Sequence, residues 1–172
     1  MVNITVVGNK IYLESPYHPD TSNESKKLGG RWSDKKWEFD IRDKERVEDM
    51  AKRIYGYGEN VVDITYIFRE SGKQVFLFGR LVAQRYSRDS SVQLGEGVVI
   101  VKGGFSSSGG SARNPDVQGG NEPPTLEIRD APVNLIDYDD KDITIIKEHA
   151  PKNPLESYSY EELIHEIKRR DS

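Results

Sequence analysis

The sequence predicts an α+β protein: an N-terminal ββαββα unit, then an antiparallel β-sandwich or barrel-like domain, then a C-terminal helix. Three observations carry this. Short β-rich runs alternate with two helical patterns up to residue 58, strand patterns interrupted by one long polar loop run from Val61 to Glu148, and a capped helical pattern closes the chain. The boundaries expected are 1–58, 59–150 and 151–172.

The first two strands are VNITVV, residues 2–7, and KIYLE, residues 10–14, around the hairpin dipeptide Gly8-Asn9. Pro16 and Pro19 break the strand pattern. Asp20, Thr21 or Ser22 then offers a cap for a short helix through Ser25, Lys26 and Leu28, and Gly29-Gly30 supplies the left-handed residue that commonly ends one. A second hairpin follows, RW, the turn Ser33-Asp34-Lys35, and KWEFDI. Trp37, Phe39 and Ile41 alternate onto one face, and Lys36, Glu38 and Asp40 take the other. Asp43 is placed to cap a helix over Lys44 to Tyr55, whose Val47, Met50, Ala51 and Ile54 recur at helical spacing before Gly56 and Gly58.

From Val61 the strands VVDITYIFR, KQVFLFGRLVAQRYS, GVVIVKG and TLEIRDAPVNLI succeed one another. Runs such as VFLF and VVIV are apolar on both faces, as sheet layers buried on both sides require. Residues 103–124, GGFSSSGGSARNPDVQGGNEPP, contain almost no apolar side chains and read as a long flexible loop. In the tail, Ser159 and Glu162 have capping-box spacing. They precede Leu163, Ile164 and Ile167, with Lys168, Arg169 and Arg170 at the negative end of the helix dipole. This short amphipathic helix also offers a contact for oligomerisation.

Composition excludes several classes. There is no cysteine, hence no disulfide, thiolate chemistry or cysteine-based zinc site. No apolar run approaches the roughly 20 residues that span a bilayer, and the first residues lack the sections of a signal peptide, so a cytoplasmic protein with no membrane partner is expected. The net charge of -4 lies in the tail: residues 1–60 carry 11 basic and 11 acidic side chains, whereas residues 136–172 carry 6 and 10. A neutral body with a local basic patch remains compatible with binding a polyanion.

Few motifs carry chemistry. GFSSSGGS, residues 104–111, has the glycines of a phosphate loop, but Gly110 stands where the lysine should be. His18, His149 and His165 are far apart in the chain, and the carboxylates Asp137, Asp139, Asp140 and Asp142 lack the glycine and terminal glutamate of a calcium loop, so no metal and no cofactor is expected. No nucleophile elbow or paired-carboxylate spacing occurs, and the expectation is a non-catalytic protein.

The exception is KKLGGRWSDKKWEFDIRD, Lys26 to Asp43, with two tryptophans and six basic residues. Lys26, Lys27, Arg31, Lys35 and Lys36 are candidate phosphate contacts. Trp32 and Tyr17 are candidate stacking platforms, each worth about 1–3 kcal/mol per unpaired base. Trp37 alternates with Phe39 and Ile41 and belongs to a core.

The run from Lys10 to Asp40 resembles small modules that read K-x-Y-L, P-[YF], K-x-L-G-[AG]-[RK]-W and K-x-W, and more distantly the HARP domain of annealing helicases. Leu28, Gly29, Arg31, Trp32, Trp37 and Phe39 fall in place; the short SDKK turn departs from the pattern. The likeness covers about residues 9–55. It implies a phage, plasmid or bacterial protein that handles nucleic acid or the machinery acting on it. The partner expected is single-stranded or distorted DNA, met during replication, repair or defence evasion. The alternative is an anti-defence inhibitor that docks on a host protein-nucleic-acid complex by protein-protein contacts.

Overall fold

The structure, a computed structural model, describes residues 2–149. It is a mixed α+β protein with eleven strands in antiparallel sheets and two α-helices among the described residues. The helix expected within 151–172 lies outside them.

The N-terminal part runs β1 (Asn3–Val7), β2 (Lys10–Glu14), α1 (Pro19–Lys27), β3 (Arg31–Ser33), β4 (Lys36–Asp40), a 3-10 turn (Ile41–Asp43) and α2 (Lys44–Tyr55). Its sheet has the order β1-β2-β4-β3. Ile11 pairs with Phe39 and Leu13 with Trp37, and antiparallel partners share a face, so these four apolar side chains form one wall. That wall is covered by Val47, Met50, Ala51, Ile54 and Tyr55 of α2. Each large apolar side chain sealed there contributes about 1.5–3 kcal/mol.

The turn between β3 and β4 is tighter than the sequence suggests. Ser33 pairs with Lys36, and Asp34 and Lys35 alone form the turn with φ of 49° and 63°. Both central residues are left-handed, as the right-handed twist of a two-residue hairpin requires. The Gly29-Gly30 pair has two separate causes. Gly29 is left-handed after the helix, with φ 75°, and a Cβ on Gly30 would lie 2.5 Å from the Phe39 ring and 2.8 Å from the Ser25 carbonyl oxygen.

Helix α1 starts earlier than its sequence signals place it. Pro19 opens the helix, because its fixed φ suits the first position, and the N-cap is His18, whose Nδ1 accepts from the Asp20 N–H at 3.3 Å. Asp20, Thr21 and Ser22 therefore lie inside the first turn rather than at the cap.

The remainder comprises β5 (Val61–Ile67), β6 (Gln74–Leu77), β7 (Arg80–Gln84), β8 (Gln93–Leu94), β9 (Val98–Lys102), β10 (Thr125–Pro132) and β11 (Ile143–Glu148). One sheet has the order β11-β5-β10-β9 and the other β6-β7-β8, and both contribute to a single core that includes Ile64, Phe68, Val82, Leu126 and Ile128.

Three features differ from the sequence expectation. KQVFLFGRLVAQRYS is not one run: it folds back at Phe78-Gly79, both left-handed with φ of 51° and 73°, so that Leu77 pairs with Arg80. A bulky residue rarely enters that region, which is why the turn has no conventional signal in sequence. Strand β9 is not buried on both faces. It is a sheet edge where Val98 is buried and Val99, Ile100 and Val101 are exposed. The segment 103–124 is packed: Val117 is completely buried, and backbone bridges join Gly72 to Val117, Phe105 to Gly119 and Gly110 to Pro115.

Arg85 anchors that segment. It is completely buried, its Nη1 donates to the Arg88 carbonyl at 2.8 Å, and its Nη2 donates to the Ser106 carbonyl. The guanidinium bond to Ser106 adds to backbone bonds that hold the segment, among them Val117 N–H to the Gly72 carbonyl and Gly109 N–H to the Arg88 carbonyl.

The two cores meet where the β6-β7 turn rests on the end of α2. A Cβ on Gly79 would lie 2.8 Å from Tyr55 Cα and 2.9 Å from the Ile54 carbonyl oxygen. Nearby, Asn134 Nδ2 donates to the Lys52 carbonyl at 3.0 Å, and the His18 and Phe76 rings meet edge to face at 5.0 Å.

Candidate nucleic-acid interface

Three segments of the N-terminal part converge on a cleft of about 400 Å³. The Ser15-to-His18 turn brings Tyr17 and His18, one face of α1 brings Thr21, Ser22 and Lys26, and the β3-β4 pair brings Trp32 and Trp37. Trp37 is 6% exposed and belongs to the core; Trp32 is 56% exposed and Tyr17 66%. The difference between the tryptophans follows from strand position. Trp32 and Trp37 are direct partners on the same face, but β3 is the sheet edge and contributes no residue to the core that α2 covers. The two indoles lie 5.3 Å apart at 59°, so the buried ring props the exposed one.

The cleft is held from behind. The Tyr55 hydroxyl donates to the Pro16 carbonyl at 2.8 Å and lies 2.6 Å from Thr21 Oγ1, tying the end of α2 to the turn and to α1. Phe76 of β6 meets Tyr17 edge to face at 6.1 Å. An aromatic wall fixed in this way loses little entropy when a planar ligand stacks on it.

The candidate cations divide. Lys26 lines the cleft with Trp32 and Tyr17. Arg31 and Lys36 are one residue out of phase with the tryptophans, so strand alternation sends them to the opposite face, and Lys36 is engaged there with Glu14 at 3.4 Å and over the Tyr12 ring at 5.2 Å. Lys27 borders a separate groove with Glu24, Arg46 and Arg53, where Arg53 binds Glu24 through both nitrogens at 2.8 and 2.6 Å. Lys35 sits exposed on the hairpin turn. Among the described residues, Lys26, Lys27, Arg31 and Lys35 make no ion pair within 4.0 Å.

His18, Thr21 and Ser22 were not legible as site residues. Burial holds the His18 pKa below the ordinary imidazole value, with the Asp20 carboxylate opposing. The neutral ring keeps Nδ1 free to cap α1. A depressed pKa contributes stability that is complete above the ordinary value, about 6.5, and is lost as pH falls below it. His18→Asn keeps an acceptor at the cap and cannot titrate. Between about pH 7 and about pH 5, the urea midpoint of the variant is therefore expected to fall less steeply than that of the parent.

A second constellation escaped the sequence because its members come from three strands or their ends. Asp63 of β5 and Asp130 of β10 meet His149, the residue after β11: His149 Nε2 lies 2.8 Å from Asp63 Oδ1 and 3.8 Å from Asp130 Oδ1, and the Asp130 N–H donates to Asp63 Oδ1 at 2.9 Å. Asp63 is 8% exposed. Only the β11-β5-β10 pairing brings these positions together.

Comparison with known proteins gives no relative: no family model, no curated protein and no solved structure matches the chain.

Proposed function

We propose that the protein is a non-catalytic nucleic-acid-binding protein whose residues 1–58 form a ββαββα module that takes an unpaired base into the Tyr17/Trp32 cleft. The observation that carries this reading is an indole more than half exposed, propped by a second indole, on the wall of a concave site that also holds a lysine with no ion pair among the described residues. A base stacks on Trp32 or Tyr17, Lys26 meets a flanking phosphate, and the Ser22 hydroxyl offers a hydrogen bond to a base edge or sugar, while the buried Thr21 hydroxyl stays with Tyr55. Lys35 extends the cationic path along the hairpin. Arg31, Lys36 and Lys27 act on strand segments that leave the cleft.

The overall negative charge favours a short, aromatic-led contact over a coat of phosphate contacts. Single-stranded or distorted DNA is the substrate class, because a base paired in a duplex cannot present its face to Trp32. Replication, repair or defence evasion in a phage or mobile element is the setting that the HARP-like resemblance suggests.

The test is fluorescence anisotropy of a labelled oligonucleotide of about 12 nucleotides, single-stranded and duplex, over a salt series. The single strand is expected to bind more tightly than the duplex. Trp32→Ala should weaken binding about tenfold to a hundredfold, and Lys26→Gln should reduce the salt slope by about 0.7. Equal affinity for parent and Trp32→Ala would remove the cleft from the account.

One observation favours the inhibitor as a second reading. The exposed edge of β9, with Val99, Ile100 and Val101, is suited to adding a strand from a protein partner. Loss of partner capture on Ile100→Lys, with oligonucleotide binding absent in the parent, would favour that reading.

A further inference from the structure

We propose that Asp63, Asp130 and His149 form a binding site for a divalent transition metal ion, with two carboxylate oxygens and one imidazole nitrogen as protein ligands. This site is independent of the nucleic-acid reading, because it lies in the other core's sheet and shares no residue with the cleft.

The donor atoms lie within 4.8 Å of one another, with Nε2 at 2.8 and 3.8 Å from the two carboxylate oxygens. Ligands held about 2.0–2.2 Å from one ion are separated by about 3.0–3.5 Å, so small rotations of His149 and Asp130 about their side-chain bonds suffice. No strand need move. The β-sheet fixes two of the three positions: β10 pairs with β5 on either side of the register shift that contains Asp130, and that shift aims Asp130 back toward Asp63.

The charge balance also points to a cation. Asp63 is nearly buried, and its Oδ1 accepts from the Asp130 N–H at 2.9 Å, which holds the carboxylate toward the group. Asp130 adds a second carboxylate within reach of the same imidazole nitrogen. Lys147, opposite Asp63 in the β5-β11 pairing, and Arg80, whose Nη2 donates to the Asp130 carbonyl at 2.7 Å, are cations that oppose a metal ion here. One nitrogen and two oxygens suit Zn²⁺ or Mn²⁺ better than Mg²⁺ or Ca²⁺, which prefer oxygen alone. Three protein ligands leave further positions for water.

The experiment is calorimetric titration of the chelator-stripped full chain with ZnCl₂ and MnCl₂, with electron paramagnetic resonance of bound Mn²⁺ as a second readout. One ion per chain is expected, with a rise in the thermal midpoint. Asp130→Asn and His149→Ala should each weaken binding at least tenfold, and Lys147→Gln should strengthen it. His149→Lys separates a metal site from a plain ion pair: lysine preserves a salt bridge with Asp63 but ligates poorly, so the parent's metal-induced midpoint rise should vanish. Absence of saturation at about 1 mM of either metal overturns the proposal, as does unchanged affinity in the Asp130→Asn/His149→Ala double variant. The second outcome would move the ion to another acidic group, such as the Asp137 to Asp142 turn.

Discussion

Arg85→Ala is expected to unfold the second core at a markedly lower denaturant concentration, with a loss of about 3–5 kcal/mol. The residue is completely buried, and its two terminal nitrogens serve carbonyls from residues 88 and 106, on separate stretches of chain. Truncation takes the guanidinium donor from the Ser106 carbonyl, leaves the Arg88 carbonyl with the Gly109 N–H alone, and opens a cavity the size of the side chain. Arg85→Lys keeps the charge but loses the planar fork, so it should fall between parent and alanine. The measurement is the urea midpoint, with amide exchange of residues 103–124 as the local readout. Rapid exchange of that segment in the alanine variant, together with retained protection in α2, is the expected pattern.

Gly79→Ala is expected to cost about 2–4 kcal/mol and to loosen the two cores from one another. Two effects add. The residue is left-handed with φ 73°, and its Cβ would press on backbone atoms of Tyr55 and Ile54, which cannot rotate aside as a side chain would. Relief requires the Phe78-Gly79 turn to lift from the end of α2. That motion would also withdraw Phe76, which touches Tyr17 and His18 at the cleft. The variant should therefore show both a lower thermal midpoint and altered Tyr17 resonances, whereas strain confined to the turn would change only the first.

The N-terminal hairpins and α2 were legible because each is specified locally. Trp37 and Phe39 alternate, Val47, Met50, Ala51 and Ile54 repeat at helical spacing, and Gly56 ends the helix in the left-handed region with φ 66°. What was missed depends on distant partners. Phe78 occupies a turn position that its side chain disfavours, and it does so while packing on Tyr66 at 5.9 Å. Val117 is buried in a stretch whose composition speaks for solvent, because the bonds of Arg85 and the bridges to Gly72 and Phe105 supply the order that apolar content lacks.

The site shows the same division. Exposure of Trp32 follows from its place on an edge strand, and edge status is a property of strand order that no local window contains. The linear cluster of five cations also reads differently once strands alternate. Trp32 and Arg31 are neighbours in sequence but face opposite sides of the sheet, so Lys26, contributed by the helix, becomes the cation beside the aromatic rings. Asp63, Asp130 and His149 have no linear spacing to detect and become a group through β11-β5-β10 pairing alone.

The most direct measurement is the two-dimensional ¹H–¹⁵N spectrum of the full chain titrated with a single-stranded oligonucleotide. Base stacking in the cleft shifts the Trp32 indole N–H and the amides around Tyr17, Ser22 and Lys26, while β9 and β11 stay fixed. Unchanged Trp32 and Tyr17 signals at saturation, or shifts confined to the second core, would contradict it.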